Sequence, residues 1–438
     1  MRWFLYLCVA AVVWVLRQLL GAGGVDADAS ALLALGLLMV GGELSGDLGE
    51  RLRAPRVTAY LVLGMLLGPS LAGLITAGDL GTLRLFEEVA LGIIALTAGG
   101  EFTLGALVRR WRLIIAITVS HSAGILILAG GALWLLLGAV PVLGDLPPGA
   151  RVAAAALFGV IAVAKSPATT IAIITETRAR GELVDVVLGV TILKDLVILL
   201  LFTWVDGLAR GWVGSTGVDV AAAVHLAGAV VASLGVGLVL GVVLGLYLDH
   251  VGLHREITVL AVVLVSMELA HGAGLEHLLV CMAAGFAARN FFPRASERFL
   301  HALERSSPPI YVIFFALVGA GLDLSVFAAG WAVVALLVAV RLVLVWGFTG
   351  GTVALLGGPL GTRRYAWMGF VAQAGFSLGL AARIAREFPS FGARLATLIV
   401  GAVVINQLLG PILWRHALVA SGEGRSDGVT EAPTRPRE

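Results

Sequence analysis

The sequence predicts an all-α polytopic membrane protein of about fourteen transmembrane helices, built as inverted-topology repeats with two broken crossing helices. Three observations carry this. The 438 residues are 59% hydrophobic and 13% charged, with a mean hydropathy of +1.00. The apolar residues fall into runs of roughly 20, the length an α-helix needs to cross a bilayer. Two motif pairs also recur in one order along the chain. This composition excludes a disordered chain, a collagen and a soluble enzyme. The 57 glycines are about twice the usual share, as close helix packing in lipid requires.

The apolar segments lie near residues 2–22, 29–46, 57–75, 87–100, 113–139, 150–176, 184–204, 218–248, 256–271, 276–291, 308–323, 325–350, 364–382 and 392–416. They are continuously apolar rather than alternating, so they read as helices and not as barrel strands. The first, residues 1–22, is an extra N-terminal helix or a signal peptide, and Arg17 interrupts it before a clean small-residue cleavage site. If the N-terminus is cytoplasmic, 20 arginines fall in inside loops and 7 in outside loops, so the positive-inside rule places both termini in the cytoplasm of a cell membrane. Residues 417–438 read as a disordered cytoplasmic tail.

Gly42 to Gly49 resembles Met267 to Gly274, and Ala95 to Gly100 resembles Ala316 to Gly321, each of the latter pair running on to an acid, Glu101 or Asp323. Residues 28–204 and 256–416 therefore read as two six-helix repeats. The linking helix at 218–248 inverts the second. Such repeats characterise secondary transporters, whose substrate site lies at mid-membrane between them.

Charges in the middle of segments mark that site, because each costs about 2.5–3.5 kcal/mol on insertion scales. They are Lys165 in the sixth segment, Lys194 and Asp195 in the seventh and Arg341 in the twelfth. Lys165 and Lys194 are the only lysines of the chain. A structural ion pair from Lys194 or Arg341 to Asp195 is the plainer reading of three of them. In Lys165-Ser166-Pro167-Ala168-Thr169-Thr170, proline removes an amide donor and breaks the helix. Gln373, Gly375 and Ser377 form the corresponding polar interruption in the thirteenth segment.

Pro55, Tyr60, Gly64 and Gly68-Pro69, the acidic end of segment four, the Ser166 to Thr170 break and the Asp195-bearing helix resemble the monovalent cation:proton antiporter superfamily, its second branch especially, over about residues 28–416. The resemblance implies a proton-coupled antiporter of Na+ or K+ working by alternating access. It implies two broken helices crossing at mid-membrane and a homodimer. Asp195 matches the second position of the family's ion- and proton-binding pair, Arg341 its charge-compensating basic residue, and Gln373 to Ser377 the second break. Two positions depart from the pattern. Lys194 stands where Asp, Asn or Gln is usual, and Lys165 where a small polar residue is usual.

Lys165, Lys194 and Arg341 against Asp195 sum to +2 when ionised, which repels a bare cation. Three resolutions stay open: a lysine that is neutral in one state, further acids such as Glu43, Glu268 or Glu101 near the site, or a lysine ammonium acting as a tethered surrogate cation. Other functional readings are a proton-coupled carrier of an anion or organic solute and a non-transporting membrane sensor. The partners expected are the bilayer and the transported ions and protons, not nucleic acid. No cofactor, nucleotide-binding glycine motif, catalytic triad or Cys/His metal spacing is apparent, so the chain does not read as an enzyme.

Overall fold

A computed structural model describes residues 27–425 except 53, 138–145, 215–219, 252–254, 323, 325 and 374, together with positions 11 and 15. The first apolar segment, Asp323 and residues 426–438 lie outside the described residues. Among those described there are fifteen α-helices and no β-strand. In order they are α1 Ala27–Arg51, α2 Arg56–Leu67, α3 Ala77–Glu101, α4 Leu104–Leu136, α5 Pro148–Val163, α6 Pro167–Thr177, α7 Glu182–Val213 and α8 Val220–His250. There follow α9 Arg255–Ala273, α10 His277–Phe291, α11 Pro293–Ala320, α12 Val326–Leu355, α13 Leu360–Tyr365, a 3-10 turn at Ala366–Phe370, α14 Gly375–Glu387 and α15 Gly392–Ala420. Seven stretches are long and apolar enough to span a bilayer by themselves: 28–51, 107–136, 148–177, 182–213, 227–250, 330–355 and 392–420. The protein is a multi-pass membrane protein.

Several helices outrun the apolar segments that announce them, because local chemistry rather than hydropathy decides where they begin. α3 starts ten residues before its apolar run at a capping box. The Asp79 backbone N–H donates to Thr76 Oγ1 at 3.2 Å, while the Thr76 N–H donates to Asp79 Oδ2 at 2.7 Å. Ser30 of α1 donates to the other Asp79 oxygen at 2.6 Å and fixes α1 against that corner. α2 is shorter than its apolar run, since Gly68-Pro69 ends it and Gly73 turns the chain at φ +63°.

Two packed groups result. α1, α2, α3, α9, α10 and α11 form one, with α8 packed along α10. α4 to α7 and α12 to α15 form the other, which holds most of the buried apolar side chains. In the first group the principal pairs are α2 with α11 and α3 with α10, and both close on glycine. A Cβ at Gly64 would overlap the Ala316 carbonyl and one at Gly319 the Leu61 carbonyl. A Cβ at Gly99 would meet the Met282 carbonyl and one at Gly285 that of Leu96. Backbones touch there because no side chain intervenes, and dispersion contacts then do the work that the hydrophobic effect cannot do in lipid.

The second group is closed by the far end of the chain. α7 begins after Gly181, which has no side chain to cap it, and Glu423 supplies the cap. The Leu183 and Val184 backbone N–H groups donate to its two carboxylate oxygens at 2.8 and 3.0 Å, and the Arg180 N–H donates to its carbonyl at 3.0 Å. Residues 417–425, expected to belong to the polar tail, are described: α15 runs to Ala420, and 421–425 fold back onto α7.

Gly64→Leu and Gly99→Leu are expected to abolish the monodisperse peak of detergent-solubilised protein in size-exclusion chromatography. Gly131→Leu, where an added Cβ would meet nothing within 4 Å, should leave that peak in place.

Candidate functional site

Two helices are interrupted at one depth. α5 ends at Val163, residues 164–166 are extended, and α6 restarts with Pro167 at its first position, where a missing N–H costs nothing. Ser166 caps it, its Oγ accepting from the Thr169 N–H at 3.2 Å. In the second interruption the chain leaves the 3-10 turn at Phe370, runs without helical structure through 371–373, and re-enters helix at Gly375. The interruptions touch directly, for the Ser166 N–H donates to the Ala372 carbonyl at 2.8 Å.

Each break strands carbonyl groups where no water can reach them, and the neighbouring side chains account for them one by one. Arg341, 2% exposed on α12, donates from Nε to Ala162 O at 2.8 Å and from Nη1 to Val371 O at 2.9 Å. Its Nη2 donates to Ala164 O at 2.8 Å and Phe370 O at 3.2 Å. Gln373 donates to Ile161 O at 2.8 Å and accepts from Asn406 Nδ2 at 2.8 Å. Trp414 Nε1 donates to Thr170 O at 3.2 Å, and Gln407 Nε2 to Thr169 Oγ1 at 3.1 Å. Ser377, also buried, has an Oγ without a hydrogen-bond partner among the described residues, and Gly375 opens α14.

Arg341, expected to compensate charge, meets backbone carbonyls rather than a carboxylate. Among the described residues no acid lies within ion-pair distance of it. It faces two chain segments running carbonyl-first toward it, each a helix end worth about half a negative charge. One guanidinium against two such ends is close to neutral.

Asp195 and Lys194, adjacent on α7, part company. A step of one residue turns a helix by about 100°. Asp195 is partly exposed and lines a cavity of about 90 Å³ together with Lys165, Ser166 and Pro167. The opposite wall belongs to α3 and to the start of α10, which bring Glu87 and Glu276 to the same cavity. Lys194 is fully buried and points away, its Nζ 3.2 Å from His121 Nδ1 on α4. Lys165 donates to Thr170 Oγ1 at 2.9 Å and to Thr191 Oγ1. The hydroxyl protons of Thr170 and Thr191 go to the carbonyls of Ser166 and Val187, so both oxygens are free to accept. Both lysine ammoniums lie near the Phe370 ring, at 5.4 and 5.7 Å from its centroid.

The structure brings Lys165, Asp195, Arg341 and the two breaks into one region, with three differences from the sequence expectation. Neither Lys194 nor Arg341 is ion-paired to Asp195, and Lys194 is absent from the cavity lining. Glu43 and Glu268 are exposed, and neither they nor Glu101 lines the cavity; the acids that do are Glu87 and Glu276. His121, Thr191, Phe370, Asn406 and Gln407 join the site without having been singled out. A mid-segment polar residue on an otherwise apolar helix was the available signal for His121 and for Asn406-Gln407.

Residues 28–418 match the family model described as sodium/hydrogen exchanger, transmembrane. The chain belongs to that family: it is a secondary transporter that exchanges cations for protons, not an enzyme. Among solved structures it resembles the sodium proton antiporter MjNhaP1 of Methanocaldococcus jannaschii at pH 8, with a TM-score of 0.70 and 18% identity over 91% of this chain and all of that one. An electron-microscopy structure of the same antiporter gives 0.69 and 18% over 90% and 98%. At that identity the likeness is one of fold. No curated protein matches the sequence.

Arg341→Met is expected to cost several kcal/mol, since each orphaned buried carbonyl forfeits about 1–3 kcal/mol. Arg341→Lys should recover only part of this, a single ammonium being unable to span four carbonyls. Melting of the purified protein in detergent, followed by intrinsic fluorescence, measures both.

Proposed function

We propose that Asp195 is the carboxylate that alternately takes up a monovalent cation and a proton, and that the cavity beside it is the path by which the cation arrives. The observation that carries this is the charge of the cavity wall. It presents three carboxylates, Glu87, Asp195 and Glu276, against one ammonium, Lys165. The excess positive charge counted from the sequence is dispersed by geometry, because Arg341 is spent on carbonyls and Lys194 is turned elsewhere. That favours a cation over the anionic or organic solute of the rival reading. Lys165 then competes with the cation for Asp195, and exchange proceeds when the cation displaces that attraction. Ser166, Pro167, Thr169 and Thr170 present the positive end of α6 to the same carboxylate, a helix start that stabilises its ionised form.

The wider arrangement we propose is fourteen spans with both termini cytoplasmic, of which 28–204 and 256–416 are inverted repeats joined by 218–248. Support comes from the arginine distribution and from the correspondence of the α2–α11 and α3–α10 pairs, in which segment three meets eleven as ten meets four. In this orientation the cavity opens outward, since the start of α10 and the middle of α3 lie toward that side. A homodimer, formed outside the ion-carrying group, rests on family resemblance.

In proteoliposomes scanned with Na+, K+ and Li+ against a pH-sensitive dye, the wild type should dissipate a proton gradient on addition of at least one of these cations. Asp195→Asn should remain monodisperse and lose that response by tenfold or more. Exchange at the wild-type rate in Asp195→Asn would move the cation site elsewhere, and an inert wild type would favour the sensor reading. A cysteine introduced at Glu276 should react with an impermeant maleimide from outside sealed cells; labelling only after permeabilisation would reverse the topology.

A further inference from the structure

We infer that Lys194 and His121 form a second, enclosed proton site, separate from the Asp195 cavity, in which the two side chains hold one proton between them. The inference builds on the antiport reading but stands on its own geometry. Lys194 and His121 are both fully buried, and neither lines the cavity. The Phe370 ring lies near both, with the His121 ring edge-on to it at 5.2 Å and 84°. Lys165, which does line the cavity, lies near the same ring.

The hydrogen bonds define the tautomer. The Thr349 hydroxyl donates to the Val345 carbonyl at 2.6 Å, which spends its only proton. At 2.9 Å from His121 Nε2 it can therefore act only as an acceptor, so Nε2 carries a hydrogen. In the neutral imidazole Nδ1 then holds a lone pair, and that lone pair points at Lys194 Nζ 3.2 Å away. Transfer of a proton along this line breaks an N–H bond on the ammonium and forms one on Nδ1. An amine and an imidazolium remain, and the pair's charge stays at +1. A separation of 3.2 Å leaves no room for a metal ion between the two nitrogens, so the ligand is a proton.

The charged groups facing the pair explain why only one proton is held. Asp195 comes from α7, Lys165 from the break after α5, and Arg341 from α12. Two of these three are basic. A second proton on the pair would add like charge to an apolar enclosure whose single facing acid already serves the cavity. Loading and emptying of the pair would thus set the charge against which a cation enters at Asp195.

The test uses full-length protein in bilayers, labelled with 15N-histidine. The His121 resonance is the one missing from His121→Gln, a variant whose amide can still accept from Lys194 but cannot titrate. The expected wild-type spectrum has Nε2 protonated and Nδ1 as acceptor, with a titration that moves by about one pH unit or more in Lys194→Met. In flux assays His121→Gln should give a shallower dependence of exchange on pH, one titrating group having been removed. A His121 titration unchanged by Lys194→Met, or the opposite tautomer, would overturn the proposal. So would a His121→Gln flux profile superimposable on that of the wild type. Should the wild type prove inert to all cations, the antiport reading fails by itself while the spectra still decide the pair.

Discussion

Arg341 is where the constraints on this protein meet. Backbone polar groups inside a bilayer have to find partners within the protein, and an unbroken helix does this for itself. Two helices here give up that arrangement at the same depth, which frees carbonyls at both breaks. A single planar guanidinium with five donors gathers four of them, and the Ser166 N–H takes a fifth at Ala372. Only because those carbonyls are satisfied can residues 164–166 and 371–373 stay out of helix. Only because they stay open does the start of α6 face the cavity with Ser166 and Pro167 beside Asp195.

The second requirement is that one group of helices be able to lie close to another without being welded to it. Within the first group, glycines bring backbones into direct contact between α2 and α11 and between α3 and α10, which makes rigid pairs. Between the groups, the floor of the cavity is mostly apolar: Leu91, Ile94, Ala98, Leu279, Met282 and Phe314 face the break. Surfaces of this sort slide at little cost because few hydrogen bonds must be exchanged. The proposed ion site takes Asp195 on α7 and the break before α6 from the second group, and Glu87 and Glu276 on the facing wall from the first.

How much of this could be read from the chain depends on whether a residue's role is local. Pro167 after Ser166 announces a break because proline acts on its own helix, and the break is found one step before it. Gly68-Pro69 ends α2 for the same reason. Asp195 and Arg341 were marked by the cost of a charge in an apolar segment, which is again a property of one helix. What a charge points at is not local. Lys194 and Asp195 look like a pair in sequence, yet a 100° turn sends one to His121 and the other to the cavity. Glu87 and Glu276, 189 positions apart, meet only through the packing of α3 on α10. His121 was one histidine among eight until α4, α7 and α12 came together around it.

The cap that Glu423 places on α7 bears on how such a molecule is made. Ribosomes deliver a membrane protein to the bilayer one segment at a time, and residues 182–213 enter the bilayer some 240 positions ahead of the carboxylate that completes their first turn. Until then the leading amides of α7 have only lipid headgroups and water as partners. Insertion and maturation are therefore separate events for this chain. The helices can be threaded in sequence, but the second group is finished only when the last of them has arrived and its end has folded back. A nascent chain stalled before residue 423 would hold every residue of the cavity and still lack the closure that sets α7 in place.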